Sequence, residues 1–291
     1  MEDKNSVAIL MCTYNGEKYI KEQIDSLLNQ TYQNFVLFIR DDNSTDNTKE
    51  IINYYVKEYD GKVIEIVDDK IANSASKNFM FLLESVYKLD KFDIFIFSDQ
   101  DDYWEKDKVK VTVDEYNKIK NKDIPILIHT DLTVVDSKLN IINSSFMKYS
   151  NLSAKRNKFI HYLIQNNVTG CAMLINKSLA HLIKFDIEYI RMHDWYFALI
   201  ASAFGKVIYI DKQMVKYRQH SNNVLGAKNN RGIRWLYNLL KNYKATKKSI
   251  VELFMQAESF KKSYFNTLSN KNKKTLNNFI KLKVITKNWK K

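Results

Sequence analysis

Three carboxylates crowd four positions in FSDQDDYW (97–104): Asp99, Asp101 and Asp102. Like charges this close repel one another and cost stability unless a cation sits among them. They follow FDIFI (92–96), so a strand of mostly apolar residues runs outward and ends in acid. Asp99 and Asp101 alternate as D-x-D, and hard oxygen ligands favour Mg²⁺ or Mn²⁺. Such ions take one or two protein carboxylates and complete their octahedron with phosphate oxygens. A divalent ion on a diphosphate makes it a better leaving group, because the ion absorbs the charge that develops as the bond breaks. A lone D-x-D is common by chance. At the tip of a strand in an α/β sheet it gains weight, since ligands of open sheets bind beyond the carboxyl ends of the strands.

Other strand ends are polar in the same way. RDDNSTDN (40–47) contains a helix start, and Ser44, Thr45 or Asp46 would cap it. Capping leaves Asp41 and Asp42 unexplained, and a carboxylate there suits hydrogen bonds to a base imide or a ribose hydroxyl. A calcium loop is excluded by the missing glycine. TYNG (13–16) offers a hydroxyl, a ring and an amide beside the next tip. Neither G-x-G-x-x-G nor G-x-x-x-x-G-K-[ST] occurs in a chain with only six glycines, which disfavours dinucleotide and P-loop chemistry. YIRMHDWYF (189–197) places Asp194 between His193 and Trp195. Its plain reading is a helix N-terminus with Asp194 as a favourable dipole partner. His129, His161 and His181 read as packing residues. Trp104 and Trp195 suit either a sugar face or the core.

The elements that must position these residues alternate. VAILMC (7–12), FVLFI (35–39), VIEIV (63–67) and DIFIF (93–97) read as strands. Helical spacing lies between them, as in Tyr19, Ile20, Ile24, Leu27 and Leu28, or Phe79, Phe81, Leu82, Leu83 and Val86. Strands this apolar, alternating with helices, imply a parallel sheet covered on both faces. ILIHTDLTVV (126–135) and GCAMLI (170–175) extend the sheet, with room for an antiparallel member. No strand signal follows about residue 217. Beyond Gly226, Ile233, Leu236, Leu240 and Tyr243 begin an apolar stripe on basic helices. It continues through Ile250, Leu253, Phe254, Phe260 and Tyr264 to Leu276, Phe279 and Ile280. The expected organisation is an α/β domain over residues 1–226 and a basic helical extension over 227–291.

Bulk composition narrows the class. With 45% apolar residues, 18 Tyr and 16 Phe in 291, the chain is no disordered segment. Cys12 and Cys171 both lie in apolar runs and form neither a disulfide framework nor a C-x-x-C site, so two buried thiols in a reducing cytosol are expected. MEDKNS leads straight into a strand without a signal sequence, and no apolar run approaches the roughly 20 residues of a membrane span. The net charge of +13 is uneven. Residues 228–291 hold 17 Lys or Arg against Glu252 and Glu258, while residues 1–227 hold 29 basic and 31 acidic residues. This is a nearly neutral body with a basic tail, unlike a uniformly basic nucleic-acid binder.

VAILMCTYNGEKYIKEQIDSLLNQTYQNFVLFIRDDNSTDNT, FSDQDDYWEKDKV, HDW and YRQHSNN, in that order, resemble the inverting glycosyltransferases of family 2, and among them the bacterial rhamnosyltransferase-type members. The resemblance covers residues 6–226. It implies a GT-A fold, with a Rossmann-like, mostly parallel sheet flanked by helices, and a nucleotide-diphosphate sugar donor such as a dTDP- or UDP-sugar. Carried over by position, Thr13, Tyr14, Asn15 and Glu17 line the nucleoside pocket, Asp42 holds the base, and Asp99 lies near the ribose. Asp101 binds Mn²⁺ or Mg²⁺ together with Asp99, and His220 is a further ligand or phosphate contact. Lys77 and Asn78 sit near the donor, and Asp194 matches the catalytic base. The chemistry agrees: one inverting displacement needs a base opposite the leaving group to take the acceptor hydroxyl's proton, a role worth roughly 10²–10⁴-fold in rate.

The resemblance further implies a saccharide acceptor, lipid-linked in some members, in surface polysaccharide synthesis at the cytoplasmic face of the plasma membrane. The basic tail then has three readings. It is a solvated face on helices packed through their stripe, a footing on anionic lipid at about 1 kcal/mol per Lys or Arg, or a nucleic-acid surface. Trp235, Tyr237 and Tyr243 stand among lysines, but no recognition motif accompanies them, so no nucleic acid is expected. A sugar nucleotidyltransferase is the rival enzyme. It would carry a glycine-rich basic loop after the first strand, which TYNGEKYI lacks.

Overall fold

A computed structural model describes residues 5–220 and 243–283. The boundary expected at 226, and with it Ile233, Trp235, Leu236, Tyr237 and Leu240, lies outside the described residues.

The first strand shows why its sequence is continuously apolar. In β1 (Val7–Thr13) every residue is buried. Val7, Ile9 and Met11 enter one core cluster, while Ala8, Leu10 and Cys12 enter the other. Successive side chains of a strand point to opposite faces, so a strand covered on both sides needs apolar residues at every position. β1 pairs in parallel with β2 (Phe35–Asp41) and β4 (Ile94–Ser98), and β2 pairs in parallel with β3 (Val63–Glu65).

One face is covered by α1 (Ile20–Leu28), α2 (Thr48–Glu58) and α4 (Lys108–Asn117), which contribute Ile20, Ile24, Ile52, Tyr55, Val109 and Val113. The other is covered by α3 (Ala75–Tyr87) and α8 (His193–Phe204), through Phe79, Leu82, Tyr196 and Phe197. Short helices α5 (Phe146–Tyr149), α6 (Phe159–Tyr162) and α7 (Lys177–Leu182) lie between these in the chain.

Beyond β4 the sheet continues as β8 (Met173–Asn176), β6 (Ile126–Val135), β9 (Lys206–Arg218) and β5 (Tyr103–Trp104), with β7 (Ile141–Asn143) paired to β6. β8 runs antiparallel between β4 and β6, and β9 runs parallel to β6. Strands β1, β2, β3, β4, β6 and β9 therefore point one way, and their carboxyl ends share one edge. The sheet is mixed and the fold α/β. Two expected strands are shorter than read. Of GCAMLI, Gly170–Ala172 form a 3₁₀ turn before the strand begins. Of VIEIV, only Val63–Glu65 pair as strand, and the chain then turns toward Asp68, which binds Arg40. The 13 residues of β9, absent from the expected strands, form its longest member.

The described part of the basic tail packs through its stripe. Phe254, Phe260 and Tyr264 of α9 (Tyr243–Tyr264) and Leu276 and Phe279 of α10 (Asn270–Lys281) are buried in the cluster that contains α8. Each such side chain contributes about 2 kcal/mol by leaving water. Helix α9 also braces the segment entering α8. Gln256 Oε1 accepts the Arg191 N–H at 2.9 Å, and Ser259 Oγ accepts the Tyr189 N–H at 3.0 Å.

Candidate active site

The loops after β1 and β2 are tied to each other before any ligand is considered. Thr13 donates its hydroxyl to Asp41 at 2.8 Å, and Asp41 also accepts the Ser44 N–H at 2.8 Å. Asn15 holds a left-handed backbone, φ 48°, tolerable for an Asn. It donates its N–H to Ser44 Oγ and accepts the Thr45 N–H, each at 2.8 Å. Glu17 accepts the Asn47 N–H at 3.0 Å, and Asp46 accepts the Thr48 N–H at 3.1 Å; the N-cap of α2 is Asn47, not Ser44, Thr45 or Asp46 as expected, and its side chain makes no capping bond. The polar side chains of Thr13, Asn15 and Glu17 thus fix the loops. The ring of Tyr14, 57% exposed, faces outward.

Beneath these loops lies Arg40, 1% exposed. Its guanidinium donates to Asp68 at 2.6 and 3.1 Å, to the Lys70 carbonyl at 2.5 Å and to Asn78 Oδ1 at 2.6 Å. A buried guanidinium is tolerable only when its donors are satisfied in this way. The result is a clamp on segment 68–73, whose Ala72 and Asn73 N–H groups both donate to Asp42, at 2.7 and 3.0 Å. Asp42 is therefore held rigidly at the tip of β2, 9% exposed, 3.6 Å from Arg40. Asn78 is buried beside Arg40, whereas Lys77, one residue earlier on α3, is exposed.

At the tip of β4, the middle residue of the D-x-D is as constrained as its acids. Gln100 accepts the Tyr14 N–H and donates to the Tyr14 carbonyl, both at 2.9 Å, mimicking a strand pair with the β1 loop. Gly16 permits this approach: a Cβ there would stand 2.2 Å from Gln100 Oε1. Asp101 Oδ2 lies 2.7 Å from His220 Nε2, whose ring stacks on Tyr19 at 5.1 Å. Arg218 donates from Nε to the Asp101 carbonyl at 2.8 Å and from its N–H to Asp102 at 3.1 Å. The end of β9 thus meets the acidic turn that follows β4.

Asp194 arrives from the opposite side on the first turn of α8. Its carboxylate accepts from Asn166 Nδ2 at 3.1 Å, from the Gly170 N–H at 3.1 Å and from the Trp195 N–H at 2.6 Å. These bonds favour the charged form, but burial outweighs them and pushes the carboxyl up to about 7. Burial, then the charges of Asp101 and Asp194, push Asp99 up to about 7 as well. The charges of Asp101 and Asp194 both act on Asp99, although 93 residues separate Asp101 from Asp194 in the sequence. A buried carboxyl poised near neutrality, as that of Asp194 is, can take a proton at physiological pH. Asp99, Asp101 and His220 offer oxygen and nitrogen ligands of the kind Mn²⁺ and Mg²⁺ accept. Asp99, Asp102 and Cys171 also place ligand atoms within 4.8 Å of one another, but burial holds the Cys171 thiol protonated, which is not the form that binds metals.

The sequence matches Glycosyl transferase family 2 over residues 8–183. The chain belongs to that family. The transferase is 32% identical over 225 residues to the dTDP-rhamnosyl transferase RfbG of Shigella flexneri, which covers 75% of this chain and 74% of the relative. It is 25% identical over 195 residues to the UDP-Glc:alpha-D-GlcNAc-diphosphoundecaprenol beta-1,3-glucosyltransferase WfgD of Escherichia coli, covering 67% and 68%. In fold it is similar to S. aureus TarS 1-349, solved in complex with UDP-GlcNAc, with a TM-score of 0.54, 15% identity and coverage of 94% of this chain and 79% of that one. It is likewise similar to the mannosyltransferase PcManGT of Pyrobaculum calidifontis, solved with GDP-Man and Mn²⁺, with a TM-score of 0.56, 14% identity and coverage of 96% and 74%. The architecture is GT-A, and the chain is a nucleotide-sugar glycosyltransferase. Among its described residues no helix is long and apolar enough to cross a membrane.

Several residues of the transferase's site carry no sequence signal. Arg40 reads as the end of a strand, Gln100 as the spacer of a D-x-D and Gly170 as the start of a strand, while Asn166 belongs to no expected element. Trp104 and Trp195, open to a sugar-stacking role from sequence, are 1% and 7% exposed and belong to the core.

Proposed function

We propose that this transferase moves a sugar from a nucleotide-diphosphate donor to a saccharide acceptor by one inverting displacement, in the synthesis of a surface polysaccharide. The observation that supports the reading is Asp194, buried with a carboxyl near neutrality and acting by its charge on Asp99, whose neighbour Asp101 lies against His220. Asp194 takes the acceptor hydroxyl's proton as that oxygen attacks the anomeric carbon. The bond from the anomeric carbon to the diphosphate oxygen breaks, and the nucleoside diphosphate departs with the electron pair. Asn166, Gly170 and Trp195 hold the base in place. Asp42 faces the nucleobase from its fixed position, and the exposed Tyr14 ring covers the nucleoside. Asp99, Asp101 and His220 would hold Mn²⁺ or Mg²⁺, which would neutralise the charge growing on the departing diphosphate. The similarity to RfbG favours dTDP-rhamnose as donor. A UDP-sugar is the second reading, favoured by the similarity to WfgD.

Calorimetric titration with dTDP and UDP, each with and without Mn²⁺, tests this. Tight binding of dTDP only with Mn²⁺ is expected, and Asp101→Asn or His220→Ala should remove the metal dependence. Preference for UDP would discard rhamnose and keep the transferase. Binding of neither nucleotide would overturn the reading of the site.

A further inference from the structure

Asp194 stands on the first turn of α8, and that turn has little of its own to fix it. Its N-cap, Met192, makes no side-chain capping bond, although a helix start leaves backbone donors that a capping side chain would satisfy. Residues 183–192, which lead into the helix, form neither helix nor strand. No regular ladder of hydrogen bonds sets their course.

The segment is held by α9, from 58 to 80 residues further along the chain. Tyr264 Oη accepts the Lys184 N–H at 3.2 Å, donates to the Leu182 carbonyl at 2.7 Å and lies 2.6 Å from Tyr196 Oη of α8. Ser259 and Gln256, both buried, accept the N–H groups of Tyr189 and Arg191 at 3.0 and 2.9 Å. The last tie before the helix is the Arg191 side chain. Its Nη2 donates to Ser249 Oγ at 2.8 Å, its Nε lies 3.4 Å from Glu252 Oε2, and its guanidinium covers the Trp195 ring at 5.0 Å. Trp195 follows the base directly. Its N–H donates to Asp194 at 2.6 Å, and its indole Nε1 donates to the Tyr162 carbonyl at 2.5 Å. A guanidinium bonds through its edge and stacks through its face at once, which an ammonium cannot do. Arg191 thus fastens α9 by its edge and Trp195 by its face.

We propose that Arg191, held by Ser249, Glu252 and Gln256 of α9, is a positioning residue for Asp194, so that the C-terminal helix completes the active site as well as covering the core. The inference rests on the transferase reading. It gives the basic tail a use that a solvated face, a lipid footing and a nucleic-acid surface all leave out. Arg191 acts through Trp195 and the backbone, and the rate depends on it because a base must meet its proton in a narrow geometry. A misplacement of about 1 Å can cost on the order of 100-fold in rate, and the loosening of one tie is expected to cost about tenfold.

The test uses the full chain with Mn²⁺ and either dTDP-rhamnose or UDP-glucose, and reads the nucleoside diphosphate released with water as acceptor. The water oxygen attacks the anomeric carbon, its proton passes to Asp194, and the diphosphate leaves with the electron pair of the broken bond. Arg191→Met and Gln256→Met should each lower kcat about tenfold, with donor KM and nucleotide affinity within twofold of the parent. Arg191→Lys keeps the charge but loses the fork, and should stay nearer to Arg191→Met than to the parent. Arg191→Met combined with Ser249→Ala should be no slower than Arg191→Met alone, since both remove one contact. Lys262→Ala breaks an exposed ion pair from α9 to Glu188 and should match the parent. Hydrogen exchange read by mass spectrometry is independent of turnover: His193–Ile200 should exchange at least tenfold faster in Arg191→Met, with β1 at the parent's rate. A variant that fails to fold loses protection in both, and Ser249→Ala, which removes a single hydroxyl, then carries the test. A kcat within twofold of the parent in Arg191→Met, full recovery in Arg191→Lys, or nucleotide affinity falling in step with kcat would overturn the proposal. Release of no nucleotide by the parent from either donor would overturn the transferase reading instead, and exchange at His193–Ile200 would still decide whether α9 holds the turn.

Discussion

Replacing Asp194 by Asn separates the chemistry of the site from its architecture. The aspartate's carboxyl rises from 3.8 to about 7 on burial, so ionising it in the folded protein costs about 4 kcal/mol relative to the unfolded chain. The sign follows from the direction. A carboxyl raised in the fold binds its proton more tightly there, so its contribution to stability declines as pH rises from about 4 to about 7 and is level above that. Asparagine removes the ionisation cost and keeps an oxygen for Asn166 and Trp195. It also turns an amide N–H₂ toward the Gly170 N–H, losing an acceptor at a cost of about 1–3 kcal/mol. At pH 8 the variant should therefore melt no lower than the parent. Turnover should fall roughly 10²–10⁴-fold, the worth of a general base, while nucleotide affinity is retained. In the parent, kcat/KM should fall about tenfold per unit below a limb near pH 7, since that limb reports the base in the free enzyme. Three results refute the reasoning: turnover within tenfold of the parent, nucleotide affinity falling in step with turnover, or a melting temperature markedly lower at pH 8.

Other perturbations test the supports of the site. Gly16→Ala should displace Gln100, since its Cβ would meet Oε1 at 2.2 Å. A loss of about 1–3 kcal/mol in chemical denaturation is expected, and Gln100→Ala in the same chain should recover most of it. Arg40→Met should destabilise by about 3–5 kcal/mol, because Asp42 and Asp68 lose a buried partner; a change below 1 kcal/mol in urea titration would show that segment 68–73 holds Asp42 unaided. His193, stacked on Phe79 at 4.4 Å, is pushed down by burial to about 3, so its contribution to stability is present above about pH 6.5 and is lost as pH falls toward 3. His193→Phe should therefore gain about 2 kcal/mol on the parent between pH 8 and pH 5, and an equal difference at both pH values would contradict the burial argument.

Why some of the site is legible in sequence and some is not follows from what each residue does there. The acids declare themselves because a carboxylate at a strand tip has no structural use that an apolar or small polar residue would not serve better. Asp99 and Asp101 stand out on that ground, whereas Asp194, on the first turn of a helix, is singled out only by the resemblance. The strands of the sheet's first half are legible for the complementary reason, since burial on both faces demands an unbroken apolar run, as in Val7–Cys12. Support is a different matter. Arg40, Gln100 and Asn166 act through hydrogen bonds to backbone groups, or to side chains far along the chain, and such bonds impose no periodicity. Gln100 has meaning only once Tyr14 is known to lie beside it, 86 residues earlier in sequence. β9 hides because its residues are only partly buried over much of their length and include Asp211, Lys212 and Gln213 in the middle, where the pairing with β6 shifts register. That irregular strand nonetheless delivers Arg218 and His220 to the acidic turn. The segment least strand-like in composition thus lies against Asp101 and Asp102. Substitutions that straighten the shift between Thr130 and Asp131 would move His220 relative to Asp101 without touching either residue.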